Sequence, residues 1–130
     1  SLDCLLVNTT GELKFFYEEA AVVFIGKSLT AQGGQNPIEP AGLAKPIVLG
    51  PHMGNFAEIT AKFLANDAAI QVDDEAALES AIDDLLSDEA KRDALGQAAR
   101  KVVQSNEGAV ERTVVMIISG INTGEMVQKY

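Results

Sequence analysis

The chain has no tryptophan, and aromatic residues make up only 5% of it. Small aliphatic side chains must therefore fill whatever interior it builds, as they do between the layers of α/β proteins. It has one cysteine, Cys4, so no disulfide can form within the chain, which suits a reducing compartment. It has one histidine, His52, and with one cysteine besides, too few soft ligands for a zinc site. No apolar run approaches the roughly 18 residues needed to cross a bilayer, and no signal-peptide pattern is present. Positive charge is scarce as well: 10 Lys and Arg stand against 19 Asp and Glu. That balance argues against a general nucleic-acid-binding surface, so no nucleic-acid partner is expected. The acidity is local. Residues 73–93 carry −7 of the formal −9 and read as a solvated helical face.

What is present is enough for one domain: 130 residues, 47% of them hydrophobic. Cys4-Leu5-Leu6-Val7, Val22-Val23-Phe24-Ile25, Ile47-Val48-Leu49 and Ala68 to Val72 read as short buried strands, the last the weakest. Buried in the first strand, Cys4 reads as an inert core thiol. Helices are expected over Glu12–Glu19, Pro37–Ala44 and Asn55–Asn66. Beyond Val72 the pattern is helical, with apolar stripes at Leu78, Ile82, Leu85, Leu86, at Leu95, Ala98, Val102, Val103 and at Val110, Val114, Ile117, Ile118. The step Asn106-Glu107-Gly108 is expected to separate the last two helices. A domain over 1–118 and a weakly patterned tail over 119–130 follow. The first residue enters directly at a strand pattern, which suggests a piece of a longer protein.

Continuous apolar strands alternating with helices predict a Rossmann-like parallel sheet covered by helices on both faces. Such sheets bind ligands in the crevice beyond the carboxyl ends of their strands. Three loops fall there. In Gly33-Gly34-Gln35-Asn36-Pro37-Ile38-Glu39-Pro40 the glycines permit close approach of a ligand to the backbone. Asn36 is a favoured N-cap, Pro37 a favoured first helical residue, and the helix N-terminus so formed suits a phosphate. Glu39 also fits a capping box with Asn36, a purely structural role that the spacing leaves equally open. In Gly50-Pro51-His52-Met53-Gly54-Asn55-Phe56, His52 reads as a donor to phosphate or carboxylate, as an acid/base group, or as a residue that shapes the loop. Asn55 reads first as an N-cap and second as a ligand contact. In Asn8-Thr9-Thr10-Gly11-Glu12 a strand-to-helix turn with Thr capping stands beside a binding role. The glycosylation sequon at Asn8 has no supporting secretory signal.

Taken together, "NTTGEL", "GKSLTAQGGQNPIEPAGLAKPIVLGPHMGNF" and "LLSDEAKRDALGQAARKVV" resemble the C-terminal part of bacterial Kdo (3-deoxy-D-manno-octulosonic acid) transferases, glycosyltransferase family 30. The resemblance covers roughly residues 3–118. Asn8 stands where the family has an aspartate. The resemblance implies the C-terminal lobe of a two-lobed GT-B glycosyltransferase that moves Kdo from CMP-Kdo to a lipid A precursor with inversion, as a step in lipopolysaccharide biosynthesis. It implies a donor site formed by Thr9, Gly11, Glu12, Gly33, Gly34, Asn36, Glu39, His52 and Asn55, with Glu39 holding the ribose hydroxyls. No metal and no cofactor are implied, and no catalytic residue: the general base belongs to an N-terminal lobe, as does the acceptor site. The full-length protein is expected at the cytoplasmic face of the inner membrane, with the membrane surface as a partner. An uncovered sheet edge in such a fragment is expected to favour self-association. Two other readings stay open, the donor lobe of a different sugar-nucleotide transferase or epimerase, and an α/β interaction module without catalysis.

Overall fold

Three short parallel strands, in the order β1-β2-β3, form the sheet of the computed structural model, which describes residues 3–123. Strand β1 is Val23–Phe24, β2 is Ile47–Leu49 and β3 is Ile70–Gln71. The register pairs Val23 with Ile47 and Val48 with Ile70. Helix α1 (Leu13–Glu19) precedes β1, α2 (Ile38–Gly42) joins β1 to β2, and a 3-10 turn (Gly54–Phe56) with α3 (Ala57–Ala65) joins β2 to β3. Helices α4 (Glu75–Leu86) and α5 (Glu89–Thr123) follow. Parallel pairing forces each connection to cross over the sheet, so α2 and α3 are laid on it by topology.

Strand β2 sits at the centre and is buried throughout. Its side chains alternate between two cores, as the pleat requires. Ile47 and Leu49 join Val23, Ile25, Ala41, Ile59 and Phe63 under α2 and α3. Val48 points the other way, to Val72, Leu85 and Leu95 under α4. Helix α5 spans both layers, giving Leu95 to one core and Ala99, Val102 and Val103 to the other. Gly96 lets it sit against the turn before β2, where an added Cβ would lie 2.0 Å from the Ala44 carbonyl oxygen. Asp74 caps α4 by accepting a hydrogen bond from the Ala77 N–H at 2.7 Å. The acidic run 73–93 thus lies along α4 and the start of α5, with its carboxylates exposed.

The sequence expectations hold for the sheet and its two-sided cover, with four corrections. Cys4-Leu5-Leu6-Val7 is not a buried strand: it forms no regular element, Cys4 is exposed, and Leu5 and Leu6 are 66% and 86% accessible. An apolar run signals a preference for burial, but a strand exists only where a neighbour supplies hydrogen bonds, and among the described residues none pairs with it. Asn106-Glu107-Gly108 does not end a helix: α5 runs unbroken from Glu89 to Thr123, because an isolated glycine costs a helix only about 1 kcal/mol and three residues without proline do not stop it. Asn55 does not cap α3: the chain enters it through the 3-10 turn, and Phe56 occupies the cap position without a side-chain bond. Nor does a threonine cap α1, where Glu12 stands at the cap, again without a side-chain bond. Helix α5 passes the boundary expected at residue 118, and positions 124–130 of the expected tail lie outside the described residues.

Candidate functional site

Beyond the carboxyl ends of β1 and β2 the loops 26–36 and 50–56 are locked together. The lock centres on Ser28, which is fully buried. Its hydroxyl donates to the Ile25 carbonyl at 2.5 Å and accepts from the Gly50 N–H at 2.8 Å. The Ser28 carbonyl in turn accepts from the His52 N–H at 2.8 Å. Farther along, the Gly33 carbonyl accepts from the Asn55 N–H at 3.0 Å. The Gly-rich strip is folded back on its own start, since Gly34 and Gln35 donate to the carbonyls of Lys27 and Gly26, both at 2.9 Å.

Gly33 and Gly34 hold φ values of +103° and +74°, a region that side-chain-bearing residues rarely occupy. They also leave room for the second loop. A Cβ at Gly33 would lie 2.6 Å from Asn55 Nδ2, and one at Gly34 would lie 2.4 Å from the Met53 sulfur. The glycines therefore serve loop-to-loop packing as much as backbone conformation. Of the residues named from the sequence, Gly33, Gly34, Asn36, His52 and Asn55 fall on these two locked loops, and Glu39 follows in the first turn of α2.

Asn36 accepts a hydrogen bond from the Ile38 N–H at 2.9 Å through its side-chain oxygen. This is one half of the expected cap, displaced by a residue because Pro37 holds the cap position. The reciprocal half is absent: among the described residues the exposed Glu39 carboxylate has no hydrogen-bond partner. The side chains of His52 and Asn55 likewise have no protein partner among the described residues, nor do the backbone N–H groups of Gly33, Asn36 and Met53. Helix α2 has only five residues, so its dipole is small, and any anion here is met by local N–H groups rather than by a long helix.

Thr9, Gly11 and Glu12 stand apart. The Thr9 hydroxyl donates to Glu12 Oε2 at 2.9 Å, but no hydrogen bond links residues 9–12 to either locked loop, and a Cβ at Gly11 would meet nothing within 4 Å.

Two residues were missed in reading the sequence. Ser28 looks like any polar loop residue, and only its burial between the loops marks it as their clamp. Tyr17 reads as part of an apolar helix face, yet α1 packs on α2 so that its phenol feels the Glu39 charge. Burial raises the Tyr17 pKa above its ordinary 10.0, and Glu39 raises it further. The fold thus favours the neutral phenol. At neutral pH both folded and unfolded chains keep the proton, and the group contributes nothing to pH dependence. As pH rises above the ordinary value the unfolded chain ionises first, so stability falls there. In a Tyr130→Phe background, absorbance titration of the phenolate should give a midpoint above that of free tyrosine, and Glu39→Gln should lower it only part of the way. A midpoint unmoved by that substitution would separate the two side chains.

The match to known proteins runs through these same elements. Residues 4–102 match the family model of the glycosyl transferases group 1. The chain is 38% identical over 114 residues to the 3-deoxy-D-manno-octulosonic acid transferase of Bordetella pertussis, covering 87% of this chain and 26% of that protein. It is 34% identical over 114 residues to the corresponding transferase of Haemophilus influenzae, covering 87% and 27%. It spans about a quarter of the length of these curated relatives. Among solved structures it is similar to the C-terminal CMP-Kdo binding domain of WaaA from Acinetobacter baumannii. The TM-score is 0.71 with 32% identity, over 76% of this chain and 52% of that one. The fold expected from the sequence, the C-terminal α/β lobe of a GT-B glycosyltransferase, is the fold found. With a family match from Cys4 through the middle of α5, the chain belongs to the glycosyl transferases group 1.

Proposed function

We propose that this chain is the donor-binding part of an inverting glycosyltransferase that carries Kdo from CMP-Kdo to a lipid A precursor. The Kdo transferases it resembles, and the CMP-Kdo binding domain whose fold it shares, support the choice of donor. The observation that carries the reading is the Glu39 carboxylate, exposed beside the locked loops and free of the capping bond that would have explained it. A carboxylate with open lone pairs is suited to accept from two adjacent ribose hydroxyls. The partnerless N–H groups of Gly33 and Asn36, with the His52 and Asn55 side chains, offer donors to the phosphate and to the Kdo carboxylate. As the bond from Kdo to phosphate breaks, negative charge grows on the phosphate oxygens, and donors already in place stabilise it there. Thr9, Gly11 and Glu12 complete the site in this proposal as its outer wall. Inversion needs a base acting on the acceptor hydroxyl from the opposite side, and that base, the acceptor site and the inner-membrane location belong to the rest of the full-length protein.

Calorimetry on the 130-residue chain tests this reading. CMP should bind at least about tenfold more tightly than UDP, the difference expected from one well-placed hydrogen bond in a closed pocket. The same preparation should transfer no Kdo to a lipid A precursor, because one reactant is held without the other. Equal affinity for the two nucleotides, or transfer by the chain alone, would overturn the assignment of roles.

A further inference from the structure

Helix α1 is held to the domain by very little. Of its seven residues only Tyr17 is half-buried, packed with the following Ala20 against the core under α2 and α3. Leu13, Phe15 and Phe16 are 53%, 65% and 40% accessible. A helix this short is marginal on its own in water. Its charges also work against it. Glu18 and Glu19 stand in the last turn, where unsatisfied carbonyls already make the helix end negative, and no basic residue of its own stands there.

Lys45, in the turn between α2 and β2, supplies what α1 lacks. Its Nζ donates to the Glu18 carbonyl at 2.7 Å. Among the described residues this is the one hydrogen bond that joins residues 3–20 to the rest of the chain. No carboxylate among the described residues pairs with Lys45, so its charge is left for the helix end. The turn that carries it is fixed from two sides. Ala44 holds a φ of 58°, and the Lys45 N–H donates to the Pro40 carbonyl at 3.1 Å. Helix α5 presses on the same turn, where an added Cβ at Gly96 would lie 3.5 Å from the Lys45 carbonyl carbon. A fixed backbone therefore presents a cation to the carboxyl end of α1.

We propose that Lys45 is a positioning residue for the donor site: by holding the end of α1 against the turn after α2, it keeps Tyr17 beside Glu39 and the 9–12 loop at the rim. This rests on the donor reading given above. Helix α1 begins directly after Glu12, and seven helical residues span only about 10 Å. No hydrogen bond links the 9–12 loop to the locked loops, so its place is set by the seat of α1. Helix α1 packs on α2, whose first turn carries Glu39, and Tyr17 is the side chain of α1 that feels that charge. When Lys45 lets go, fewer molecules hold α1 in place, and apparent ligand affinity falls by the same fraction.

Two substitutions test it in the 130-residue chain. Lys45→Met keeps the aliphatic stem and removes the donor, whereas Lys45→Arg keeps a donor. By calorimetry Lys45→Met should bind CMP about three- to tenfold more weakly, the loss expected when the seated fraction drops to between about a third and a tenth. Lys45→Arg should stay within about twofold of the parent, since either cation can meet a helix-end carbonyl. Without nucleotide, the NMR ring-proton shifts of Tyr17 should move toward those of an unstructured tyrosine in Lys45→Met and stay in place in Lys45→Arg. The melting temperature of Lys45→Met should fall by no more than about 4 °C, because α1 has no fully buried residue to lose. Parental CMP affinity in Lys45→Met would overturn the inference. So would a fall in affinity with the Tyr17 ring unmoved, which would have Lys45 act without α1. A parent chain that binds no CMP would instead sink the donor reading, and this inference with it.

Discussion

Replacing Glu39 with glutamine is expected to weaken CMP binding by about ten- to a hundredfold while leaving the melting temperature within a degree or two. The carboxylate is exposed and makes no hydrogen bond to protein among the described residues, so the fold does not depend on its charge. A ligand would depend on it. Charge-assisted hydrogen bonds contribute on the order of 1.5–3 kcal/mol, and a neutral amide oxygen retains only part of that. The opposite outcome has a clear meaning too. Gln can serve a capping box, and so would preserve nucleotide binding if capping were the residue's role. Unchanged CMP affinity, with or without a fall in melting temperature, would return Glu39 to the scaffold. The Tyr17 titration provides a second, ligand-free reading of the same carboxylate, because its charge raises the phenol pKa only if the two side chains are neighbours.

Gly50→Ala should be the most damaging single methyl group in the site. Its Cβ would lie 2.2 Å from the Ser28 carbonyl oxygen, 2.5 Å from the Ser28 carbonyl carbon and 2.6 Å from the Leu29 Cα. All three are backbone atoms, so no rotamer change relieves the overlap. The loops must separate, and the bond from the Gly50 N–H to the Ser28 hydroxyl is lost with them. Overpacking of this kind costs about 3 kcal/mol, which for a domain of this size lowers Tm by roughly 10 °C. Nucleotide affinity should fall with it, since the same separation displaces His52 from Ser28 and Asn55 from Gly33. Gly54→Ala is the matching control, because nothing lies within 4 Å of its added Cβ. A Gly50→Ala protein that melts with the parent would show that the loops are not interlocked in solution.

The α/β class, the three surviving strands and the two loops with unusual chemistry were all legible from residues alone, and for a physical reason. Short unbroken apolar runs such as Ile47-Val48-Leu49 are stable only between two covering layers, and glycine-rich polar loops at their ends mark places where the backbone is closely approached. Local pattern therefore carried the fold class and the loops from which the candidate site is built. It was silent on everything that depends on a distant partner. Cys4-Leu5-Leu6-Val7 has the composition of a buried strand, but burial needs a surface to lie against, and in this chain those side chains are exposed. Asn106-Glu107-Gly108 has the composition of a break, yet the hydrogen bonds of a long helix carry α5 across it. Ser28 and Gly50, 22 positions apart, become a clamp only because parallel pairing of β1 with β2 brings the ends of both strands to one edge. The spacing leaves Glu39 open between cap and ligand; only the tertiary structure removes the cap, by placing Pro37 at the cap position, pairing Asn36 with Ile38 and leaving the carboxylate without a protein partner among the described residues.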